Sequence, residues 1–130
     1  MISFKDEHVV PILTGRKTQT RRLGRKRWSP GGVHRLHPRN RFQKSFALAE
    51  ILEVRREMLL DISPEDAIAE GYPDPESFFE AFSRIYGLER EQLEGLTVWV
   101  IRFRITEAFE GIRKEVLDTT LEKPRRRLAD

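Results

Sequence analysis

The apolar positions of this chain recur with two different periods, and the change of period predicts where strands and helices lie. Alternation with a period of two puts successive side chains on opposite faces, and it predicts long strands at residues 45–55 and 96–106. Shorter stretches of the same kind predict strands at residues 2–5, 18–23 and 33–37. Glycine and proline residues separate several of these stretches, and the pattern indicates about five strands.

The two long strands also indicate which side chains face the core. In residues 96–106 the apolar face is formed by Trp99, Ile101, Phe103 and Ile105. In residues 45–55 it is formed by Phe46, Leu48, Leu52 and Val54. Glu50 falls on the same face as this second set. We therefore expect either a β-bulge that shifts the register or a paired carboxylate at this position.

Two short stretches are typical of helices. Asp6 is suited to be the N-cap of a helix at residues 8–13, and Gly15 follows where a left-handed backbone would end it. The run Ser63-Pro64-Glu65-Asp66 combines an N-cap, a proline at the first helical position and acids in the first turn. This second helix is expected to end at Gly71.

A third helix should run from Asp74 to Gly87. Its apolar residues recur at helical spacing and are assigned to the core rather than to a stacking platform: Phe78, Phe79, Phe82, Ile85 and Tyr86. Together the elements predict a single α+β domain over residues 1–106. Residues 107–130 form a C-terminal extension with a basic end, which we expect to be partly helical or frayed.

Composition narrows the function classes. The chain has 130 residues, 38% of them hydrophobic, and no cysteine, which excludes disulfides, thiolate nucleophiles and zinc–sulfur sites. No apolar run approaches the ~20 residues of a membrane span and no signal peptide is recognisable, so we expect a cytoplasmic protein without a membrane partner. The three histidines are dispersed, and we expect neither a metal site nor a cofactor.

Charge is strongly polarised along the chain, although the net charge is only +3. No acid occurs between His8 and Ala49, whereas lysine and arginine occur eleven times there. Such a window is suited to bind phosphate or another anion, and the alternative is a solvated basic face that the acidic remainder balances. The candidate ligand-binding residues are Gly15, Arg16, Lys17, Arg21, Arg22, Arg25, Lys26, Arg27 and Trp28. Phe42 is a further aromatic residue that could stack on a base.

Several of these segments, taken together, resemble the ASCH domain family. The resemblance is carried by Ile12-Leu13-x-Gly15-x-Lys17-Thr18-x-Thr20-x-Arg22, by Ser63-Pro64-Glu65-Asp66-Ala67-x-x-Glu70-Gly71, and by Val98-Trp99-Val100-Ile101-x-Phe103. It implies a small PUA-like β-barrel of about five to six strands with two or three short helices. It also implies RNA or a modified nucleoside as the partner, bound by a monomer or small homo-oligomer.

Thr20 stands where the family motif often carries a glutamate. In this respect the chain is similar to the subgroup that includes the bacterial 4-acetylcytidine amidohydrolase. That resemblance implies Thr20 as nucleophile, Lys17 as its base, and Glu70 as an orienting group or proton shuttle. The same three residues also fit a non-catalytic clamp on a phosphate or base edge, because an ionised Glu70 would stabilise the Lys17 ammonium.

Three hypotheses follow from these residues. The chain is a binding module for RNA or a modified nucleoside, with a basic cleft around Gly15–Arg22; or an amidohydrolase of an acylated nucleoside; or a structural protein in which this segment is only a basic turn. The first two require Lys17, Thr20 and Glu70 to come within hydrogen-bond reach in one concave site, whereas scatter over a convex face would exclude both.

Overall fold

The computed structural model describes residues 1–39 and 43–109. Its strands are β1 (Ile2–Phe4), β2 (Gln19–Arg22), β3 (Val33–Pro38), β4 (Ala47–Met58) and β5 (Thr97–Ala108). Its α-helices are α1 (Val9–Leu13), α2 (Pro64–Ala69) and α3 (Pro75–Tyr86). Single 3-10 turns lie at Asp6–His8, Leu59–Asp61 and Arg90–Leu93. The described part of the chain is therefore α+β, as predicted.

The five strands form one mixed sheet in the order β1-β3-β4-β5-β2. β1 and β3 are parallel, and the other neighbours are antiparallel, with the long β4–β5 pair at the centre. The predicted closed barrel is wrong, because no backbone ladder joins the edge strands β1 and β2 in the described chain. A side chain spans the gap instead: Arg22 Nη2 on β2 donates to the carbonyl oxygen of Ser3 on β1 at 2.7 Å.

The predicted buried face of β4 is wrong at Leu48 and Leu52. The β4–β5 pairing is irregular at two places, between Leu48 and Ala49 and between Ile51 and Glu53. At the second place Leu52 is an extra residue in β4. Ala47, Ala49 and Ile51 form the buried face, and both leucines are only half-buried. The extra residue Leu52 shifts the alternation after Ile51, so that Val54 packs against the same apolar cluster. Glu50 is paired as well, with Arg104 at 2.6 Å. Both outcomes expected at Glu50 therefore occur.

Two apolar clusters pack on opposite faces of β5. Ile101 and Phe103 face the first cluster, and the half-buried Trp99 and Ile105 pack against it, as the alternation predicted. Val98 and Val100 face the second cluster, which contains the core aromatics of α3: Phe78, Phe79 and Phe82. β5 is thus buried on both sides along part of its length, as is typical of a central strand.

The sequence correctly predicts the caps of α2 and α3, but not the start of α1. Ser63 Oγ accepts the amide of Asp66 at 3.0 Å at the start of α2, and Asp74 caps α3, which ends at Gly87 with φ of 67°. The prediction that Asp6 caps a helix from His8 is wrong: Asp6 lies inside a 3-10 turn, and α1 starts at Val9 without a side-chain cap. None of the described helices is long and apolar enough to cross a membrane.

The predicted C-terminal extension stays a prediction. β5 continues two residues beyond the predicted boundary at residue 106. Residues 110–130 lie outside the described part of the chain, and so does Phe42.

Candidate functional site

A cleft with a cavity volume of about 40 Å³ lies at the gap between the two edge strands. β1 and the residue after it contribute Ser3, Phe4 and Lys5; β2 contributes Thr20, Arg21 and Arg22. The remaining lining residues lie in the turn before α1, in the loop between α1 and β2, directly after β3, directly after α2, and in α3. They are His8, Lys17, Arg39, Glu70, Tyr72, Phe78, Phe82, Ile85 and Tyr86. We call this the edge-strand cleft. Its volume is small compared with small-molecule sites.

The loop between α1 and β2 is tied to the end of α2. Gly15 takes a left-handed conformation with φ of 82°, which a side chain at this position would strain, and the predicted turn at Gly15 is thus confirmed. The amide of Thr18 donates to the carbonyl oxygen of Ala69 at 2.8 Å. Lys17 Nζ donates to Glu70 twice, to its carbonyl oxygen at 2.8 Å and to Oε1 at 2.9 Å. Residues 53 positions apart therefore meet.

The Lys17 ammonium is almost completely buried, with 2% of its side chain exposed. Burial lowers the pKa of Lys17 from its ordinary value, and the charges of Arg22 and Arg21 act in the same direction. The Glu70 carboxylate opposes them but does not reverse the shift. Lys17 is thus more easily deprotonated than an exposed lysine, which is a property of a general base.

Thr20 lies on β2 and is 5% exposed, on the lining of the same cleft. Its Oγ1 accepts a hydrogen bond from Arg22 Nε at 2.9 Å. A hydroxyl keeps its own proton when its oxygen accepts, so the Thr20 proton remains available for a base or a ligand. In the described chain no hydrogen bond joins Thr20 Oγ1 directly to Lys17 Nζ. The expected meeting of the three residues is therefore observed in part: Lys17 and Glu70 are hydrogen-bonded, whereas Thr20 lines the same cleft without a hydrogen bond to either of them in the described chain.

Arg21 is engaged inside the protein rather than available to a ligand. Its side chain is fully buried, and Nη1 donates to Glu70 Oε2 at 3.0 Å and to Gln19 at 2.8 Å. Nε and Nη2 contact Glu57 at 3.0 and 2.9 Å, and Nη2 also contacts Asp66 at 3.1 Å. Each guanidinium nitrogen is therefore occupied. Arg21 holds the second oxygen of Glu70 and so fixes the carboxylate that holds Lys17.

Arg22 connects the cleft to both edge strands. Besides its bonds to Thr20 and Ser3, its guanidinium lies 4.9 Å from the ring centroid of Phe4 and 5.9 Å from that of Trp28. Burial lowers the pKa of Arg22 below its ordinary value. Its Nη1 donates to none of the described residues, so this nitrogen can bind a ligand.

His8 and Tyr72 are site residues that sequence reasoning missed. His8 Nε2 lies 2.9 Å from the Tyr72 hydroxyl inside the cleft. Burial, helped by the charges of Lys17, Arg22, Arg39 and Lys5, lowers the pKa of His8 to about 3. Burial also raises the pKa of Tyr72 to about 12. Both groups are neutral at pH 7, and the one available signal was that Tyr72 directly follows the Glu70-Gly71 motif.

The other predicted ligand-binding residues do not line the edge-strand cleft. Arg16 is exposed, and its Nε donates to Thr14 Oγ1 at 3.4 Å. Arg25, Lys26 and Arg27 are exposed, and Arg27 lies 5.4 Å from the Trp28 ring. Trp28 is 8% exposed and belongs to the first apolar cluster. Two cations outside the predicted set, Lys5 and Arg39, line the cleft instead.

No cluster of three or more histidine, aspartate or glutamate side chains within residues 1–39 and 43–109 is arranged to hold a metal ion.

Comparison with known proteins identifies the fold. No family model matches this chain, and no curated protein matches it. The DUF984 protein EF3133 from Enterococcus faecalis has a crystal structure similar to this one, with a TM-score of 0.63 and 15% identity over 84% of this chain and 82% of that one. The ASCH domain from Lactobacillus crispatus is similar with a TM-score of 0.56 and 22% identity, over 75% and 69%. The hypothetical protein PH0355 is similar with a TM-score of 0.57 and 15% identity, over 80% and 95%. The described domain thus has the fold of ASCH domain structures.

Proposed function

We propose that this chain is an amidohydrolase that binds an acylated nucleoside at the edge-strand cleft and hydrolyses the acyl amide on its base. The observation that carries the proposal is the environment of Lys17, which is buried, has a lowered pKa, and lines the same cleft as the Thr20 hydroxyl. The resemblance of Lys17, Thr20 and Glu70 to the set of the 4-acetylcytidine amidohydrolase supports an acylated cytidine as substrate.

The aromatic and cationic lining suits such a ligand. The half-buried Tyr72 and Tyr86 offer ring surfaces for a planar base. Among the described lining residues Glu70 is the one carboxylate, and Lys17 and Arg21 already neutralise it.

The reaction proceeds in two steps. Neutral Lys17 takes the proton of Thr20 while Oγ1 attacks the amide carbon, and the C–N bond then breaks as the Lys17 ammonium returns the proton to the leaving amine. This leaves an ester on Thr20. A water molecule, deprotonated by Lys17, attacks the ester; the ester C–O bond breaks, the carboxylic acid leaves, and the Lys17 ammonium returns the proton to Thr20 Oγ1. Arg22 beside Oγ1 stabilises the negative charge that develops near this atom.

Glu70 and Arg21 position Lys17 in this scheme. Glu70 receives two hydrogen bonds from Lys17 Nζ, through its backbone carbonyl and its Oε1. An ammonium has three protons, so one remains to be exchanged with Thr20. Arg21 binds Oε2 of the same carboxylate, and its positive charge partly offsets the negative charge of Glu70. Glu70 therefore stabilises the protonated form of Lys17 less strongly.

A second candidate function is binding of single-stranded RNA without hydrolysis. The observation that favours it is the exposed run Arg25-Lys26-Arg27, for which the described chain provides no ion-pair partner. Such a run is suited to contact a phosphate backbone, and affinity of this kind falls steeply with salt.

Acetate release from 4-acetylcytidine tests the proposal. Wild-type protein should release acetate, and Lys17→Met should lose at least about a hundredfold in rate because it lacks the base. If wild type releases no acetate and instead retains single-stranded RNA at low salt, and if Arg25→Glu/Lys26→Glu abolishes that retention, the binding function replaces the enzymatic one.

A further inference from the structure

We propose that Lys5, Arg22 and Arg39 form a phosphoryl subsite at the mouth of the edge-strand cleft, so that the ligand is a phosphorylated nucleoside rather than a bare one. This inference rests on the proposed function for the placement of the base. The subsite itself rests on the positions of these three cations.

The parallel pairing of β1 and β3 brings two of the cations together. Phe4 on β1 is in register with Pro38 on β3, so the next residues, Lys5 and Arg39, emerge at the same end of the strand pair. The amide of Arg39 donates to the carbonyl oxygen of Phe4 at 2.9 Å, which fixes the two backbones against each other. Residues 34 positions apart in the sequence thus share one edge of the cleft.

Arg22 approaches the same place from the opposite edge strand. Its Nη2 donates to the carbonyl oxygen of Ser3, two residues before Lys5, while Nη1 donates to none of the described residues. The planar fork of a guanidinium binds phosphoryl oxygens well. The cleft is therefore lined by Lys5 and Arg39 from the ends of β1 and β3, and by Arg22 from β2.

Within the described residues, no carboxylate balances these cations at the mouth. In the described chain neither Lys5 nor Arg39 forms an ion pair, although Arg84 and Glu7 do so nearby, 3.8 Å apart. Glu70 lines the cleft but is already bound by Lys17 and Arg21. The charges of Arg39, Lys5 and Arg22 also contribute to the lowered pKa of His8, which indicates a locally positive field. A cleft with this charge attracts an anionic group.

Its position in the cleft distinguishes this subsite from the predicted basic segment Arg25-Lys26-Arg27. Lys5 and Arg39 line the cleft together with Thr20, whereas Arg25, Lys26 and Arg27 do not. A phosphoryl group at the mouth would hold the sugar at the entrance and the base against the aromatic lining. The ligand would then be anchored at both ends.

Binding of cytidine and of cytidine 5′-monophosphate, compared by titration calorimetry at fixed ionic strength, tests the subsite. Neither probe carries an acyl group, so the measurement does not depend on hydrolysis. Wild-type protein should bind the monophosphate at least about tenfold more tightly than cytidine. Lys5→Ala/Arg39→Ala should remove most of this preference and leave cytidine affinity within about threefold of wild type.

The matched control is Arg102→Ala/Arg104→Ala, which removes two charges from exposed side chains of β5 that do not line the cleft. It should keep the preference. A trinucleotide of cytidine extends the test: a preference for it that Lys5→Ala/Arg39→Ala removes supports the subsite and assigns the phosphoryl group to an RNA chain.

Equal affinity for cytidine and both phosphorylated probes would overturn the subsite, and so would an equal loss of preference in the control. If the preference is found but no acetate is released from 4-acetylcytidine, the subsite stands and the proposed function fails. If acetate is released without the preference, the proposed function stands and the subsite fails.

Discussion

Arg21→Met removes a guanidinium that contacts four different side chains, and we expect it to lower the free energy of unfolding by about 3–5 kcal/mol. The Arg21 side chain is fully buried, and its partner Glu70 is only 3% exposed. Without Arg21, the buried Glu70 keeps only Lys17 as a partner. Glu57 and Asp66 are less affected, because Arg55 also contacts both, at 2.9 and 3.1 Å. Most of the expected decrease in the free energy of unfolding therefore arises at Glu70.

Arg55→Met is the matched control. Arg55 contacts the same Glu57 and Asp66, but 37% of its side chain is exposed, so solvent screens the pairs. Its loss should cost no more than about 1 kcal/mol. The difference between the two variants measures the effect of burying the charge, since both remove one arginine from one network.

Urea denaturation followed by circular dichroism gives both free energies from the midpoint and slope. If Arg21→Met does not fold, Arg21→Lys provides the comparison: it keeps the charge but loses the planar fork, and should still be less stable than Arg55→Met. The reasoning is refuted if the Arg21 variants are as stable as Arg55→Met. In that case the buried network would not hold Glu70 in place.

Two further predictions concern pH and the start of α2. Because the pKa of His8 is lowered to about 3, the unfolded chain binds more protons than the folded one below about pH 6.5. The stability that depends on neutral His8 is therefore fully present above about pH 6.5 and is lost as the pH falls. Between about pH 5.5 and about pH 4, wild type should lose up to about 1.4 kcal/mol per pH unit more than His8→Gln, and equal slopes in urea denaturation would contradict this. Ser63→Ala removes the acceptor of the Asp66 amide and should lower the free energy of unfolding by about 1 kcal/mol, whereas Ser83→Ala, whose buried hydroxyl has no partner in the described chain, should cost less.

Local signals were enough to predict most elements. The caps at Ser63 and Asp74 and the glycine at 87 act over a few residues, so the ends of α2 and α3 could be read from the sequence. Alternation also predicted the faces of β5. β4 was different: Glu50 on the apolar face indicated a bulge or a paired carboxylate, but the positions of the register shifts depend on the pairing with β5 and could not be read from β4 alone.

The site could be predicted only in part. Lys17 and Glu70 were proposed together through resemblance, and the structure brings them to 2.9 Å. The role of Arg21 could not be predicted, because a buried arginine and an exposed one look the same in a basic segment. Lys5 and Arg39 were missed because the pairing of β1 with β3 is a long-range contact. The open gap between β1 and β2 was missed for the same reason.

The central claim is that Thr20, in the cleft between the edge strands, is the nucleophile of an amidohydrolase. The most direct test compares kcat/KM for acetate release from 4-acetylcytidine in Thr20→Val and in Thr18→Val, a neighbouring threonine that does not line the cleft. We predict that Thr20→Val loses at least about a thousandfold while Thr18→Val stays within about threefold of wild type. Acetate release by Thr20→Val at the rate of Thr18→Val would contradict the claim.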